Sequence, residues 1–258
     1  MADEVLTSRE GAVLTVTLNR PEVYNALTAG LHAALNDALA VEAVDPAVRA
    51  VVITGAGKAF CAGQDLREFQ ESPSDIRERL EETYHPNVRA IRALEKPVIA
   101  AVNGVAAGAG LSLAVAGDLR VASDAASFVP GFVGIGLVPD AGGTWFLHRL
   151  LGFGRAFEWM CSNRRVSAEE ALAWGLVTEV APADRFEDHV AELAATWAAL
   201  PTRAVGWTKR LFEHAYAATL EEQLAAEAAT QQQAVATADF AEGVAAFLEK
   251  RPAAFRGA

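Results

Sequence analysis

Residues 97–117 (PVIAAVNGVAAGAGLSLAVAG) run for 21 positions without a charge. A helix of that length would reach across a bilayer. The composition points elsewhere: Pro97 opens the stretch, Asn103 interrupts it, and four glycines lie among seven alanines. Glycine at this density breaks one long helix into shorter pieces. The stretch therefore reads as a strand buried on both faces, a glycine-rich turn and a buried helix, and no membrane span is expected. The 258 residues allow one or two domains around such a core.

Residues 50–54 (AVVIT) repeat the pattern, a short apolar run followed by Gly55, Gly57 and Gly63. The units Val51 to Gly63 and Val98 to Gly110 have equal length, which hints at a degenerate repeat. Residues 13–19 alternate instead, with Leu14, Val16 and Leu18 on one face and Thr15 and Thr17 on the other. Pro21 ends that strand, and Thr28 suits a helix N-cap before a run to about Ala43. Ser72-Pro73-Ser74-Asp75 signals another helix start, with Leu80, Tyr84, Val88 and Ile91 on one face and a kink or break expected at Pro86. Strands are expected near 119–122 and 127–129, a loop over 134–143 leading to a helix that ends near Gly152, a capping box at Ser167 and Glu170, and a strand over 176–180. Beyond about residue 184 strand patterns vanish. A mixed α/β part over 1–183 and a helical part over 184–258 follow.

A net charge of −11 argues against a nucleic-acid partner and leaves any anionic ligand to be held by local donors. Cys61 and Cys161 stand 100 residues apart with no C-x-x-C spacing, so neither a metal site nor a disulfide is expected. Met1 to Glu10 has no apolar signal region, and a reducing cytoplasm is the expected location.

Three loops stand out: KAFCAGQDL (58–66), NGVAAGAGLSLA (103–114) and GLVPDAGGTW (136–145). Glycine lets backbone approach a ligand closely, and amides at a helix start attract anions. Two loops giving one N–H each can polarise a carbonyl oxygen. The same glycines also serve tight turns and helix–sheet packing, and loop composition alone does not separate these uses.

Taken in order, these segments resemble the enoyl-CoA hydratase/isomerase (crotonase) superfamily. RPEVYNALT (20–28), KPVIAAVNG (96–104), VSAEEALAWGLVTEV (166–180) and EGVAAFLEKRPAAF (242–255) extend the likeness to nearly the whole chain. FCAGQDL, NGVAAGAG and GLVPDAGGTW are most similar to the ring-1,2-epoxyphenylacetyl-CoA isomerase branch. The resemblance implies a spiral of ββα units with an all-helical C-terminal trimerisation region, and a homotrimer or dimer of trimers. It implies an acyl-CoA thioester substrate and no cofactor beyond the CoA of that substrate. By position it assigns the oxyanion amides to Gln64 and Ala109, and CoA contacts to Ala26, Ala62, Gly63, Asp65, Leu66, Gly108 and Gly110.

The departures bear on the reaction. The two water-activating glutamates of typical hydratases fall on Ser112 and Phe132 here, while a third acid-bearing position is filled by Asp140. One carboxylate suits proton transfer between carbons, whereas adding water needs further groups. An isomerase is expected, with a hydratase as the alternative and a non-catalytic acyl-CoA-binding protein as a third reading. Asp140 also suits an N-cap of a helix beginning at Ala141, and the two roles are compatible. His85 and Asp140 align with the base and nucleophile of 4-chlorobenzoyl-CoA dehalogenases, whose active-site tryptophans fall on Tyr84 and Phe132. Tyr84, Phe128, Phe132 and Trp145 suit an apolar acyl pocket or ordinary core packing, and Cys61 suits a buried apolar position.

Overall fold

The computed structural model describes residues 3–71 and 75–258. Strands β1 (Val5–Glu10) and β2 (Val13–Leu18) form an antiparallel hairpin, and α1 (Ala29–Asp37) follows. Then one unit recurs. β3 (Ala50–Gly55) and β4 (Ala59–Cys61) lead to α2 (Leu66–Glu71), α3 (Ile76–Arg79) and α4 (His85–Ala93). β5 (Val98–Val102) and β6 (Val105–Ala107) lead to α5 (Ala109–Ala116). β7 (Leu119–Ser123) and β8 (Ser127–Val129) lead to α6 (Gly143–Leu151) and α7 (Phe153–Ser162). β9 (Val166–Ser167), α8 (Ala168–Trp174) and β10 (Glu179–Ala181) close this part, and α9 (Phe186–Ala198), α10 (Thr202–His214), α11 (Leu220–Ala234) and α12 (Ala238–Glu249) complete the chain.

The first strand of each unit joins a six-stranded sheet in the order β1-β2-β3-β5-β7-β10, and the second joins a four-stranded sheet in the order β4-β6-β8-β9. The chain thus spirals, stepping one strand along both sheets per turn. β3 and β5 pair in parallel with Val51 opposite Val98, and β4 and β6 with Ala59 opposite Val105. The repeat therefore extends to a third copy, β7 and β8, where the glycine spacing that marks the first two is absent.

Burial explains the strand patterns. In β3 and β5, Val51, Ile53, Val98, Ala100 and Val102 face the main core between the sheets and helices. Val52, Ile99 and Ala101 face a second core against Phe186, Val190 and Ala194 of α9. Both faces are covered, so both strands read as continuous apolar runs. Each fully buried Val or Ile contributes roughly 1.5–3 kcal/mol. β2 buries Leu14, Val16 and Leu18 and leaves its threonines half-covered, which is the alternation seen in the sequence.

The Thr28 hydroxyl accepts from the Leu31 amide and caps α1 as expected, but the helix passes into a π turn over residues 38–42 before Ala43. Asp75 caps α3, while Ser72 to Ser74 of the expected start signal lie outside the described residues. The break expected at Pro86 takes a specific form: a π turn over Leu80–Tyr84 runs directly into α4, with Pro86 in the first turn of α4. Proline lacks a donor, and the wider turn accommodates the missing bond without ending the helix. At Ser167 only half of the expected capping box forms; its hydroxyl accepts from the Glu170 amide, while the Glu170 carboxylate pairs with Arg164. The last strand begins at Glu179 rather than 176, because Gly175 ends α8 in a left-handed conformation and Leu176 and Val177 bury into the core first.

Two polar clusters tie the C-terminal helices down. Arg49 donates to Thr202 Oγ1 at 2.8 Å, to the Phe255 carbonyl at 2.8 Å and to the Leu200 carbonyl at 2.5 Å. Asp118 accepts from Arg92 of α4 and from Lys209 of α10, each at 2.9 Å, and from the Val98 amide of β5 at 2.9 Å. Arg92 also donates to Glu213 of α10 at 2.7 Å.

Candidate active site

The segment 24–27 lies beside the loop 62–65. Ala62 N donates to Tyr24 O at 2.9 Å, Leu27 N to Gly63 O at 2.7 Å, and Asp65 N to Leu27 O at 3.0 Å. These bonds use the peptide groups on either side of Gln64. The Gln64 N–H lies on the opposite edge and meets no backbone acceptor among the described residues. Asn25, fully buried at φ +58°, holds this arrangement in place. Its amide donates to the carbonyls of Ala56 and Ala59 at 3.0 and 2.8 Å, and its oxygen accepts from Arg20 N at 2.9 Å. Arg20 in turn donates to Ala26 O at 2.6 Å and to Asp65 at 3.0 Å. Burial pushes the Asp65 carboxyl up, but Arg20 and the amides of Arg67 and Glu68 outweigh it and hold the group below its usual value. The Asp65 carboxylate is therefore occupied by the protein. Ala26 is buried, whereas Ala62 and Leu66 are exposed beside it.

Against this loop stands the start of α5. Gly108, at φ +52°, precedes Ala109, whose N–H comes before the first helical bond, Ser112 N to Gly108 O at 3.1 Å. Gly108 N is anchored to Val129 O at 3.0 Å. The two loops touch: a Cβ on Gly63, at φ +91°, would stand 2.8 Å from Ala107 O and 3.3 Å from Ala109 N. A Cβ on Gly110 would overlap the Cys61 carbonyl oxygen of β4. The glycines thus serve close packing, and that packing brings the Gln64 and Ala109 loops together. Because the obstacle at Gly110 is backbone, Gly110→Ala is expected to cost about 2–3 kcal/mol, read by denaturant unfolding.

Asp140 sits in the loop before α6. The helix begins at Gly143 with Gly142 as its N-cap, not at Ala141, so the expected capping role of Asp140 is corrected. Ala141 at φ +48° and Gly142 at φ +81° are both left-handed, and the Asp140 carbonyl accepts from Gly143 N at 2.8 Å. A left-handed alanine costs on the order of 1–2 kcal/mol, strain stored next to a carboxylate. Asp140 Oδ1 is enclosed and has no hydrogen-bond partner among the described residues. Burial pushes the carboxyl up to about 6, with its own amide acting in the opposite direction. Such a group exchanges a proton near neutral pH.

The remaining positions divide. Tyr84 is 4% exposed, and its hydroxyl donates to Gln64 Oε1. Burial, and after it the charge of Asp140, hold its phenol above the usual value. His85 is half-buried; its backbone N–H donates to the Leu80 carbonyl, while its imidazole makes no hydrogen bond to a described residue. Ser112 is buried in α5, its Oγ 2.6 Å from where a Cβ on Gly143 would lie, so it packs beneath the start of α6. Phe132 is buried, and its carbonyl accepts from Ile135 N and Leu137 N, both at 3.0 Å. Phe128 is core, and Trp145 packs on Tyr216 and Arg149 toward α10. Burial pushes the Cys61 thiol up to about 12, which makes it a packed side chain rather than a thiolate. Among the described residues no His, Cys, Asp and Glu group is placed to hold a metal, and no helix is long and apolar enough to cross a membrane.

Sequence reasoning passed over Arg20, Asn25 and the Gln64 side chain. An asparagine beside a proline-led loop is the available signal, since asparagine tolerates left-handed backbone. Its three carbonyl partners lie more than thirty residues away and leave no local trace.

Residues 8–258 match the family described as enoyl-CoA hydratase/isomerase. The chain is 41% identical over its full length, and that of its relative, to the 1,2-epoxyphenylacetyl-CoA isomerase of Escherichia coli K12. It is 44% identical to a probable enoyl-CoA hydratase of Rhodobacter capsulatus, covering 94% of this chain and 93% of the other. The crystal structure of an enoyl-CoA hydratase from Polaromonas sp. JS666 superimposes with a TM-score of 0.92 at 38% identity, over 97% of this chain and 99% of that one.

Proposed function

The chain belongs to the enoyl-CoA hydratase/isomerase family, and from that premise we propose that it is an acyl-CoA isomerase. It shifts a double bond, or rearranges a ring epoxide, by proton transfer on a CoA thioester. The observation that carries this reading is Asp140, a half-buried residue whose Oδ1 is enclosed and unpartnered and whose pKa is raised to about 6. The two other candidate carboxylate positions hold Ser112 and Phe132, neither of which can serve as a base. The 41% identical relative, an isomerase, supports the same choice.

In this mechanism the thioester oxygen accepts from the N–H groups of Gln64 and Ala109. Their hydrogen bonds strengthen as charge moves onto that oxygen, which makes the neighbouring carbon acidic. Asp140 removes a proton from one carbon and returns it two carbons away. Main chain around Ala26, Ala62, Gly63, Asp65, Leu66, Gly108 and Gly110 holds the CoA portion. The Asp65 carboxylate is spent on Arg20, so residue 65 contributes through its backbone. No cofactor beyond the substrate's CoA takes part. The helical C-terminal part, with Phe212, Leu220, Phe247 and Leu248 exposed, supports assembly into a trimer or a dimer of trimers.

The 44% identical relative supports a second reading, an enoyl-CoA hydratase using Asp140 and a further water-holding group. One experiment separates the two. The enzyme is given a 3-enoyl-CoA, crotonyl-CoA, the ring-epoxide of phenylacetyl-CoA and 4-chlorobenzoyl-CoA, with product analysis. Conversion of the first or third without hydration of crotonyl-CoA is the expected result. Hydration alone assigns a hydratase, chloride release assigns attack by Asp140 with His85 activating water, and binding without turnover assigns a scaffold.

A further inference from the structure

Tyr84 lies at the end of a π turn, and its hydroxyl reaches across to Gln64 Oε1. The other end of the Gln64 amide, Nε2, donates back to the Asp65 carbonyl at 3.3 Å. The Gln64 side chain is therefore a strap between a helix and the main chain of its own loop. That loop carries the Gln64 N–H, which is free of backbone acceptors among the described residues.

Tyr84 is itself fixed. Its ring packs against that of His32 in α1, with centroids 4.0 Å apart. Asn87, one turn further along from Tyr84, donates to His32 Nδ1 at 2.8 Å and to the His32 carbonyl at 3.2 Å. His32 and Asn87 are 5% and 1% exposed, and burial pushes the His32 imidazole down to about 4, so it is neutral at pH 7 and accepts at Nδ1. Two helices thus clamp the tyrosine before it meets the loop. Such a rigid surround is what a precisely oriented polar group needs.

Resting on the function proposed above, we propose that Tyr84 is a positioning residue that sets the Gln64 amide against the thioester oxygen. The hydroxyl acts through the glutamine side chain and does not touch the reacting atoms. A fraction of an ångström of drift in an oxyanion donor weakens it most where charge develops, in the transition state. Loss of the hydroxyl therefore lowers kcat and leaves KM nearly unchanged.

The test uses Tyr84→Phe, Gln64→Leu and the double variant of the full-length enzyme. Two readouts are taken: the kinetics of 3-enoyl-CoA isomerisation, and the infrared C=O stretch of bound butyryl-CoA labelled with ¹³C at the carbonyl. Each single variant is expected to lose about 10- to 100-fold in kcat, with KM within about twofold. The bound carbonyl stretch is expected to move back toward its value in water. The double variant is expected to lose no more than either single one, since both break one link. Wild-type kcat and an unmoved stretch in Tyr84→Phe overturn the proposal, as do losses that multiply in the double variant. Should Tyr84→Phe fail to fold, Gln64→Leu carries the same two readouts. A wild-type stretch that does not shift on binding overturns instead the assignment of the oxyanion amides.

Discussion

Asp140→Asn is expected to lose about a thousand-fold in turnover while gaining stability at pH 7. The kinetic loss follows from removing the group proposed to take and return the proton, a contribution of roughly 10²–10⁴ in comparable sites. Binding of acyl-CoA is expected to survive, because the CoA contacts proposed for the loops at 62–66 and 108–110 do not involve this side chain. The stability gain follows from the same carboxyl. Its pKa rises from 3.8 unfolded to about 6 folded, burial being the main cause. A carboxyl whose folded pKa is raised contributes its stability below pH 3.8 and loses it as the pH rises through about 6. Above that point the folded protein holds a poorly solvated charge at a cost on the order of 2–3 kcal/mol. Asparagine carries no such charge, so the variant and the wild type are expected to diverge in denaturant midpoint between pH 4 and 6 and stay apart above it. The kcat/KM of the wild type is expected to climb through the same interval as the carboxylate forms. Full turnover by the variant removes Asp140 from the chemistry, and parallel stability profiles remove the burial argument.

Asp118→Ala is expected to destabilise the fold by about 3–5 kcal/mol, measured by denaturant unfolding. The carboxylate meets two cations and an amide, and its removal leaves the Lys209 ammonium, whose side chain is 7% exposed, with the Ile91 carbonyl but without the carboxylate it contacts. Burial already pushes that ammonium below its usual pKa, with Asp118 as the main counterweight. Arg92 keeps Glu213 and the Ala116 carbonyl, so the cost falls chiefly on the lysine. Asp118→Asn keeps an acceptor for the lysine and the Val98 amide and is expected to fall between the wild type and the alanine variant. Equal stability of all three would show that the cluster is solvated rather than enclosed.

The fold was legible where local chemistry and burial agree. Strands β3 and β5 are apolar throughout because a core lies on each face, and Thr28 announces α1 because its hydroxyl meets an orphan amide. The elements that misled are those set by backbone conformation. Ala141 and Gly142 are both left-handed, which moves the start of α6 two residues on and frees Asp140 from capping, and an alanine gives no sign of that geometry. At the site, the glycines of both loops were visible as close-approach positions. The link from Tyr84 to Gln64 was not, because it spans twenty residues and depends on a π turn that shifts side chains around the helix. The Asp118 cluster joins residues 26 and 91 positions apart, beyond any local pattern.

Arg49 has a further consequence in time. Its three acceptors lie 151, 153 and 206 positions later in the chain. A ribosome delivers residues from the N-terminus onward, so both sheets are complete while this guanidinium still faces water. The nascent sheets are thus expected to stay loose and protease-sensitive until the last helices arrive, and the arginine fastens them only then.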